Sequence, residues 1–277
     1  MRILIAAACL AAASLPAAAQ PAAPAPGHPH EPLSLAALAR IAQNPLAKVY
    51  SVPFQNNTNF GMGPRKQTEN ILNIQPVLPF GLNDDWNLIT RTVFPVTSQP
   101  GLTPGQGSSF GLGATQGSFF LSPARQTAGI GWGAGVLVQA PSVTDPALGS
   151  RVWGAGPSGI ALAMRGPWVV GTLLNNVWSF GGGPQDAYNT FTFQPLINYN
   201  FAHSPGTYLS TQPLITADWL APPGQRWTVP VGLALGQVFR VHGQPMNANL
   251  GAYYNVIRPD NAPAWQVRFQ LVFLFPR

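Results

Sequence analysis

The last predicted strand of this chain alternates between two kinds of side chain along most of its length. One set holds Trp265, Val267, Phe269, Leu271, Phe273 and Phe275, and the other begins with Gln266, Arg268 and Gln270. Successive side chains of a β-strand point to opposite faces, so one face is large and apolar while the other begins polar. A soluble β-sandwich could cover the apolar face with a second sheet. A transmembrane β-barrel turns that face toward lipid, and the composition below favours the barrel.

The N-terminus predicts export. Residues 1–19 read as a signal peptide, with Arg2, an apolar stretch from Ile3 to Ser14, and three small residues ending at Ala19. Cys9 is the only cysteine and lies within this signal, so we expect the mature chain to have no thiol. Residues 20–32 are rich in Pro and Ala and predict a disordered linker.

Residues 33–51 predict a short helix and a lead-in to the first strand. Apolar residues recur at helical spacing from Ser34 to Gln43, and Pro45 follows the predicted end. The helix could pack at the periplasmic mouth of a barrel or lie on the membrane surface. Because Arg40 is its only basic residue, the first placement is favoured.

Charged residues are scarce. They make up 8% of the chain, compared with about 25% of an ordinary soluble domain. The sequence pI is near 10.0, yet only Arg65 and Lys66 are adjacent among the basic residues, so no nucleic-acid partner is predicted. Scarce charge together with 29 Gly and many amides suits a barrel whose outer band avoids charge.

Turn residues divide residues 52–277 into about twelve predicted strands. An all-β, antiparallel transmembrane barrel is the predicted fold, since bacterial single-chain barrels have an even number of strands. Pro76, Pro195 and Pro213 lie inside these segments, each in a Gln-Pro-aliphatic phrase. Proline cannot donate a ladder hydrogen bond, so we expect a shared β-bulge at these positions; the alternative is that the strands are cut there.

The sequence offers little for catalysis, and we predict neither enzyme activity, nor a cofactor, nor a metal site. His203 and Ser204 are adjacent, which does not by itself create a nucleophile and base. Asp145, Asp186 and Asp260 lie in predicted loops with Pro or Gly nearby, where they suit turn formation better than acid catalysis.

Four charged residues on predicted strands are candidates for lining a lumen and setting its selectivity. They are Arg91, Asp218, Arg240 and Arg268. Charge on the lipid face is costly, so we expect them to point inward or lie near a rim. They could form a path that favours anionic or electron-rich solutes, or an Arg–Asp pair that braces the wall and leaves no path.

Three stretches carry a resemblance to a known family. They run from Lys48 to Phe60, from Asn73 to Phe80 and from Trp86 to Arg91, and the phrases Val-Pro-Phe-Gln-Asn-Asn and Gln-Pro-Val-Leu-Pro are the most specific. The chain from about Asn44 onward resembles a bacterial outer-membrane transporter family labelled phenol meta-pathway degradation protein and often mislabelled neuromedin U. The resemblance implies an outer-membrane barrel that takes up small, aromatic or hydrophobic compounds.

A passive outer-membrane channel for small molecules is therefore the predicted function, with a structural or receptor-type barrel as the alternative. The expected partners are outer-membrane lipid, the barrel assembly machinery and a small-molecule solute. An aromatic-rich final strand resembles the signal read by that machinery, although Pro276 and Arg277 follow Phe275.

Overall fold

A computed structural model describes residues 33–103, 105–126 and 129–276. The predicted signal peptide and linker lie outside these residues. Helix α1, Leu35–Ala42, begins where the side chain of Ser34 accepts a hydrogen bond from the Ala37 amide, and Gln43 caps its end. No helix among the described residues is both long enough and apolar enough to cross a membrane.

Twelve antiparallel strands in the described part of the chain close into a barrel, as predicted. Each pairs with the strand before it, and the last pairs with the first. Three of them, β2, β4 and β9, are each interrupted once. The bounds are β1 Tyr50–Met62, β2 Gln67–Ile74 and Val77–Gly81, β3 Trp86–Gln99, β4 Ser109–Leu112 and Thr115–Pro123, β5 Ile130–Ala140, β6 Trp153–Arg165, β7 Trp168–Phe180, β8 Asn189–Asn200, β9 Thr207–Thr211 and Ile215–Asp218, β10 Trp227–Val241, β11 Gln244–Ile257, and β12 Trp265–Phe275.

The two faces of β12 are those that the alternation predicts. Arg268 is 7% exposed on the inner face, and its neighbour Phe269 is 45% exposed on the outer face. Exposed aromatic rings form two belts on the outside. At the end with short turns, Trp86 packs on Trp132; at the other end, Tyr254 packs on Trp265. Such belts mark the two membrane interfaces, and the end with short turns is assigned to the periplasm.

Strands β1 and β2 alternate less clearly because a polar cluster lies on their outer face. The side chains of Asn56 and Asn70 donate to each other at 2.8 and 3.0 Å, and Asn70 also donates to Thr58 at 3.0 Å. Register places Asn56 opposite Phe269, which fixes the cluster on the lipid side. These hydrogen bonds lower the cost of placing amides there, since each polar group has a partner.

The Gln-Pro phrases leave the register of the strands unchanged, and two of the three, at Pro76 and Pro213, interrupt their strand. Pro195 in β8 and Pro213 in β9 face each other, since the pairs Ile197–Thr211 and Phe193–Ile215 on either side keep one register. Neither proline has an N–H, so the ladder between β8 and β9 breaks there. Pro76 interrupts β2, again with no change of register toward β3. The expected bulge is therefore wrong. The alternative, a cut strand, is observed at Pro76 and Pro213, whereas β8 continues through Pro195.

Replacing Phe269 with arginine is expected to impair assembly. The side chain faces lipid, where an arginine costs about 2–4 kcal/mol near the bilayer midplane. Urea titration of the refolded barrel, followed by heat-modifiable gel migration, measures the loss against the matched variant Phe269→Leu. Equal stability of the two variants would mean that the inner and outer faces are assigned the wrong way round.

Candidate lumen site

Helix α1 lies inside the periplasmic end of the barrel, against the inner wall. Leu38 and Ala39 are buried against Tyr208 of β9 and Val238 of β10. At the end of the helix, Gln43 exchanges two side-chain hydrogen bonds with Asn200 of β8, of 2.8 and 3.1 Å. The sequence favoured this placement at the periplasmic mouth because of the low charge of the helix.

After the helix, the chain crosses the lumen to the opposite wall. Leu46 packs on an inward cluster formed by Ile89, Phe120, Ile160 and Leu173, which belong to β3, β4, β6 and β7. Space for Leu46 comes from Gly133 of β5, where an added Cβ would stand 3.4 Å from a Leu46 methyl group. We call residues 33–49 the N-terminal plug, because this segment is packed against both sides of the lumen.

A cavity lies beside the plug. The space open to water in it measures about 160 Å³. One side is apolar, and the remainder carries amide side chains and an arginine. Among its lining residues are Gln55, Gln75, Arg91, Gln194, Tyr208, Gln212, Asn247 and Gln270.

The three Gln-Pro phrases supply three of these amides. In each phrase the glutamine before the proline, Gln75, Gln194 or Gln212, lines the cavity. Gln75 accepts a hydrogen bond from the Arg91 guanidinium, and Gln212 donates to Asn198 at 3.2 Å. The repeated phrase is thus the signal for this site in the sequence, although its proline predicts only a backbone feature.

Arg268 braces the middle of the lumen. Its guanidinium donates to Asn57 at 3.1 Å, to Gln266 at 2.9 Å and to the backbone carbonyl of Gln212 at 2.8 Å. Gln212 lies at the interruption of β9, where the ladder does not use that carbonyl. The Tyr253 ring lies 4.8 Å from the guanidinium carbon and adds a cation–π contact. Arg268 thus connects β12 with β9 across the two strands between them.

Small residues on the intervening strands make this reach possible. Register places Gly251 of β11 beside Arg268, Ala234 of β10 beside Gly251, and Ser210 of β9 beside Ala234. A Cβ added at Gly251 would come within 2.5 Å of the Ala234 Cβ. The arginine therefore lies over a row that lacks large side chains.

A chain of amides joins Arg268 to a carboxylate. Gln266 accepts from Arg268 and donates to Asn59 at 2.9 Å, and Asn59 donates to Glu69 at 2.8 Å. Glu69 is 7% exposed at the start of β2. Its side chain points into the barrel, and it is not among the four lumen candidates predicted from the sequence. The charges of Arg268 and Glu69 are thus linked through neutral groups rather than by direct contact.

Asp218 and Arg240 do not face Arg91 or Arg268. Asp218 is exposed at the external end of β9, and its carboxylate accepts a hydrogen bond from the Leu220 amide at 3.0 Å. Arg240 donates to the backbone carbonyl of Leu33 and so contacts the start of the N-terminal plug. Within the described residues, no carboxylate lies within 4.0 Å of either inner arginine, so the Arg–Asp brace considered from the sequence is absent there.

The loop aspartates act on their own loops. Asp145, in the external loop between β5 and β6, accepts a hydrogen bond from the Ala147 amide at 2.9 Å and begins a short 3-10 helix. That bond, together with one from Ser109, lowers the pKa of the Asp145 carboxyl. Asp186 accepts from the Gly183 amide at 3.1 Å in the same way. These contacts fit the turn-forming role predicted for them.

Comparisons with solved structures show which class of fold the chain has. The COG4313 outer membrane channel from Pseudomonas putida F1 shares 18% identity, with 82% of this chain and 94% of that chain covered and a TM-score of 0.60. The NanC porin shares 8% identity over 82% of this chain and 100% of that chain, with a TM-score of 0.50. No protein-family model matches the chain, and no curated protein matches it by sequence.

The chain therefore has the fold of the outer-membrane β-barrels that serve as channels and porins. At these identities the likeness is one of fold. The phenol-pathway label that the sequence resemblance suggested stays a prediction.

Proposed function

We propose that this protein is a passive outer-membrane channel for small molecules, narrowed by the N-terminal plug and by Arg268. The observation that carries the proposal is the amide-rich cavity of about 160 Å³ within a closed barrel. The likeness to a solved outer membrane channel supports it. A lumen lined by neutral amides allows a polar solute to exchange its water for protein hydrogen bonds without being held tightly.

The inner arginines would set the selectivity of this path. Arg91 lines the cavity and Arg268 lies on the same inner wall, whereas the candidate Asp218 stands at the rim. Fixed positive charge favours solutes of opposite sign. We therefore propose a preference for anionic or electron-rich solutes, among which small aromatic compounds agree with the family resemblance. Arg240 would act indirectly, by holding the start of the plug.

Export and assembly complete the proposal. A signal peptide cleaved near Ala19 would deliver the chain to the periplasm. The barrel assembly machinery would then recognise β12, whose outer face ends in Phe273 and Phe275.

Solute flux into liposomes tests the proposed function. Vesicles containing the purified protein should admit small solutes without an energy source, and flux should fall as solute size increases. Protein-free vesicles and heat-denatured protein serve as controls. A correctly folded barrel, judged by its gel migration, that admits no solute even with the plug removed would overturn the proposal. Such a result would favour a structural barrel, an alternative that the tightly held Arg268 side chain supports.

A further inference from the structure

We propose that the cavity beside Arg91 is a binding site for a small monocarboxylate with a compact apolar body. The inference rests on the proposed channel function in one respect: if the barrel is a channel, a solute would bind at this site as it passes through. Binding itself requires the cavity and Arg91, whether or not solute passes through the barrel.

The first observation is that Arg91 has no carboxylate partner in the described part of the chain. The Arg91 guanidinium donates to the neutral amide of Gln75, which is its only side-chain partner among the described residues. A guanidinium carries five N–H donors arranged in a planar fork, so most of this fork is unused. The fork matches the two oxygens of a carboxylate, and a cation enclosed by protein gains most from such a partner.

The second observation is an apolar wall next to that charge. Ile89, two residues before Arg91 on the same face of β3, belongs to the inward cluster with Phe120, Ile160 and Leu173. All four line the cavity that Arg91 lines. A ligand held by its carboxylate at Arg91 would therefore place its carbon body against these side chains, where burial contributes about 25 cal/mol per Å² of apolar area.

Size limits the ligand. The cavity measures about 160 Å³, and an engineered protein cavity of roughly 150 Å³ holds one benzene molecule. A carboxylate attached to one ring, or to a short alkyl chain, fits this space. The surrounding groups Gln55, Gln194 and Gln270 are neutral, so no fixed negative charge among the cavity's lining residues competes for Arg91.

Isothermal titration calorimetry on the detergent-purified, full-length barrel tests the site. Benzoate is the probe, and benzamide, which has the same shape without the charge, is the control ligand. We expect saturable binding of benzoate to one site and binding of benzamide that is at least tenfold weaker. Arg91→Gln should weaken benzoate binding by at least tenfold, so that the affinities for benzoate and benzamide become similar. Arg91→Lys should weaken it less, because it keeps the charge but loses the fork.

A matched control variant is Arg125→Gln. Arg125 is exposed in the periplasmic turn between β4 and β5 and is absent from the cavity lining, so the same charge change there should leave benzoate binding unaltered. Native gel migration of each variant shows that the barrel is formed. Equal binding of benzoate to wild type and Arg91→Gln, or no binding to a folded wild type, would overturn the site. Benzoate binding without solute flux would support the binding site and contradict the channel function. Solute flux without benzoate binding would support the channel function and contradict the binding site.

Discussion

Deleting residues 33–46 is expected to raise the single-channel conductance severalfold. This change removes α1 and Leu46, and with them the contacts that join the two walls of the lumen. Deletion leaves β1 and its pairing with β12 intact, so the barrel should still close. Planar-bilayer recording of the deletion variant beside wild type measures the change.

A crosslinked protein is the control for this deletion. Since the only cysteine lies in the predicted signal, Gln43→Cys and Asn200→Cys can be joined specifically by a short reagent with two thiol-reactive groups. These side chains are hydrogen-bonded at 2.8 Å in the plugged state. Crosslinking should hold conductance at or below the wild-type value, and a cleavable linker should restore it. Equal conductance of deleted, crosslinked and wild-type proteins would show that the plug does not limit flow.

Arg268→Gln is expected to reduce anion preference and to widen the middle of the lumen. Glutamine is too short to reach the carbonyl of Gln212 across β10 and β11, and the substitution removes the positive charge of the guanidinium from the middle of the lumen. The hydrogen bonds lost are worth roughly 1.5–3 kcal/mol each, so the variant should also unfold at lower urea concentration. Reversal potentials under a salt gradient should move toward cation preference.

The same neutralisation at Arg125 separates a local effect from a general loss of charge. Arg125→Gln should leave both the reversal potential and the stability near wild type, because this side chain is exposed in a turn. A shift of the same size in both variants would indicate surface charge rather than a lumen brace. An unchanged reversal potential in Arg268→Gln would exclude Arg268 from the conducting path.

Much of the barrel follows from local patterns in the sequence. The alternation of β12 assigned Arg268 inward and Phe269 outward, since the direction of side chains in a strand depends only on neighbouring residues. Helix α1 was evident from its apolar spacing and its Ser34 cap. Glycine and proline also mark turns between strands, such as Gly166 and Pro167 between β6 and β7, because these residues favour turn conformations.

The details of the lumen could not be read in the same way. The contact between Arg268 and Gln212 depends on register across four strands and on the small side chains of Gly251 and Ala234 between them. No local pattern encodes such a coincidence. The position of Asp218 could not be predicted for a different reason. Alternation shows which face of the strand a residue occupies, but it does not show how far along the barrel axis the residue lies.

Single-channel recording of the wild-type protein in planar bilayers is the decisive test of a passive path through the barrel. We expect discrete, ohmic current steps of small amplitude, which grow when residues 33–46 are deleted and need no energy source. A correctly folded barrel that shows no current steps, either as wild type or with residues 33–46 deleted, would show that the barrel has no path for solutes.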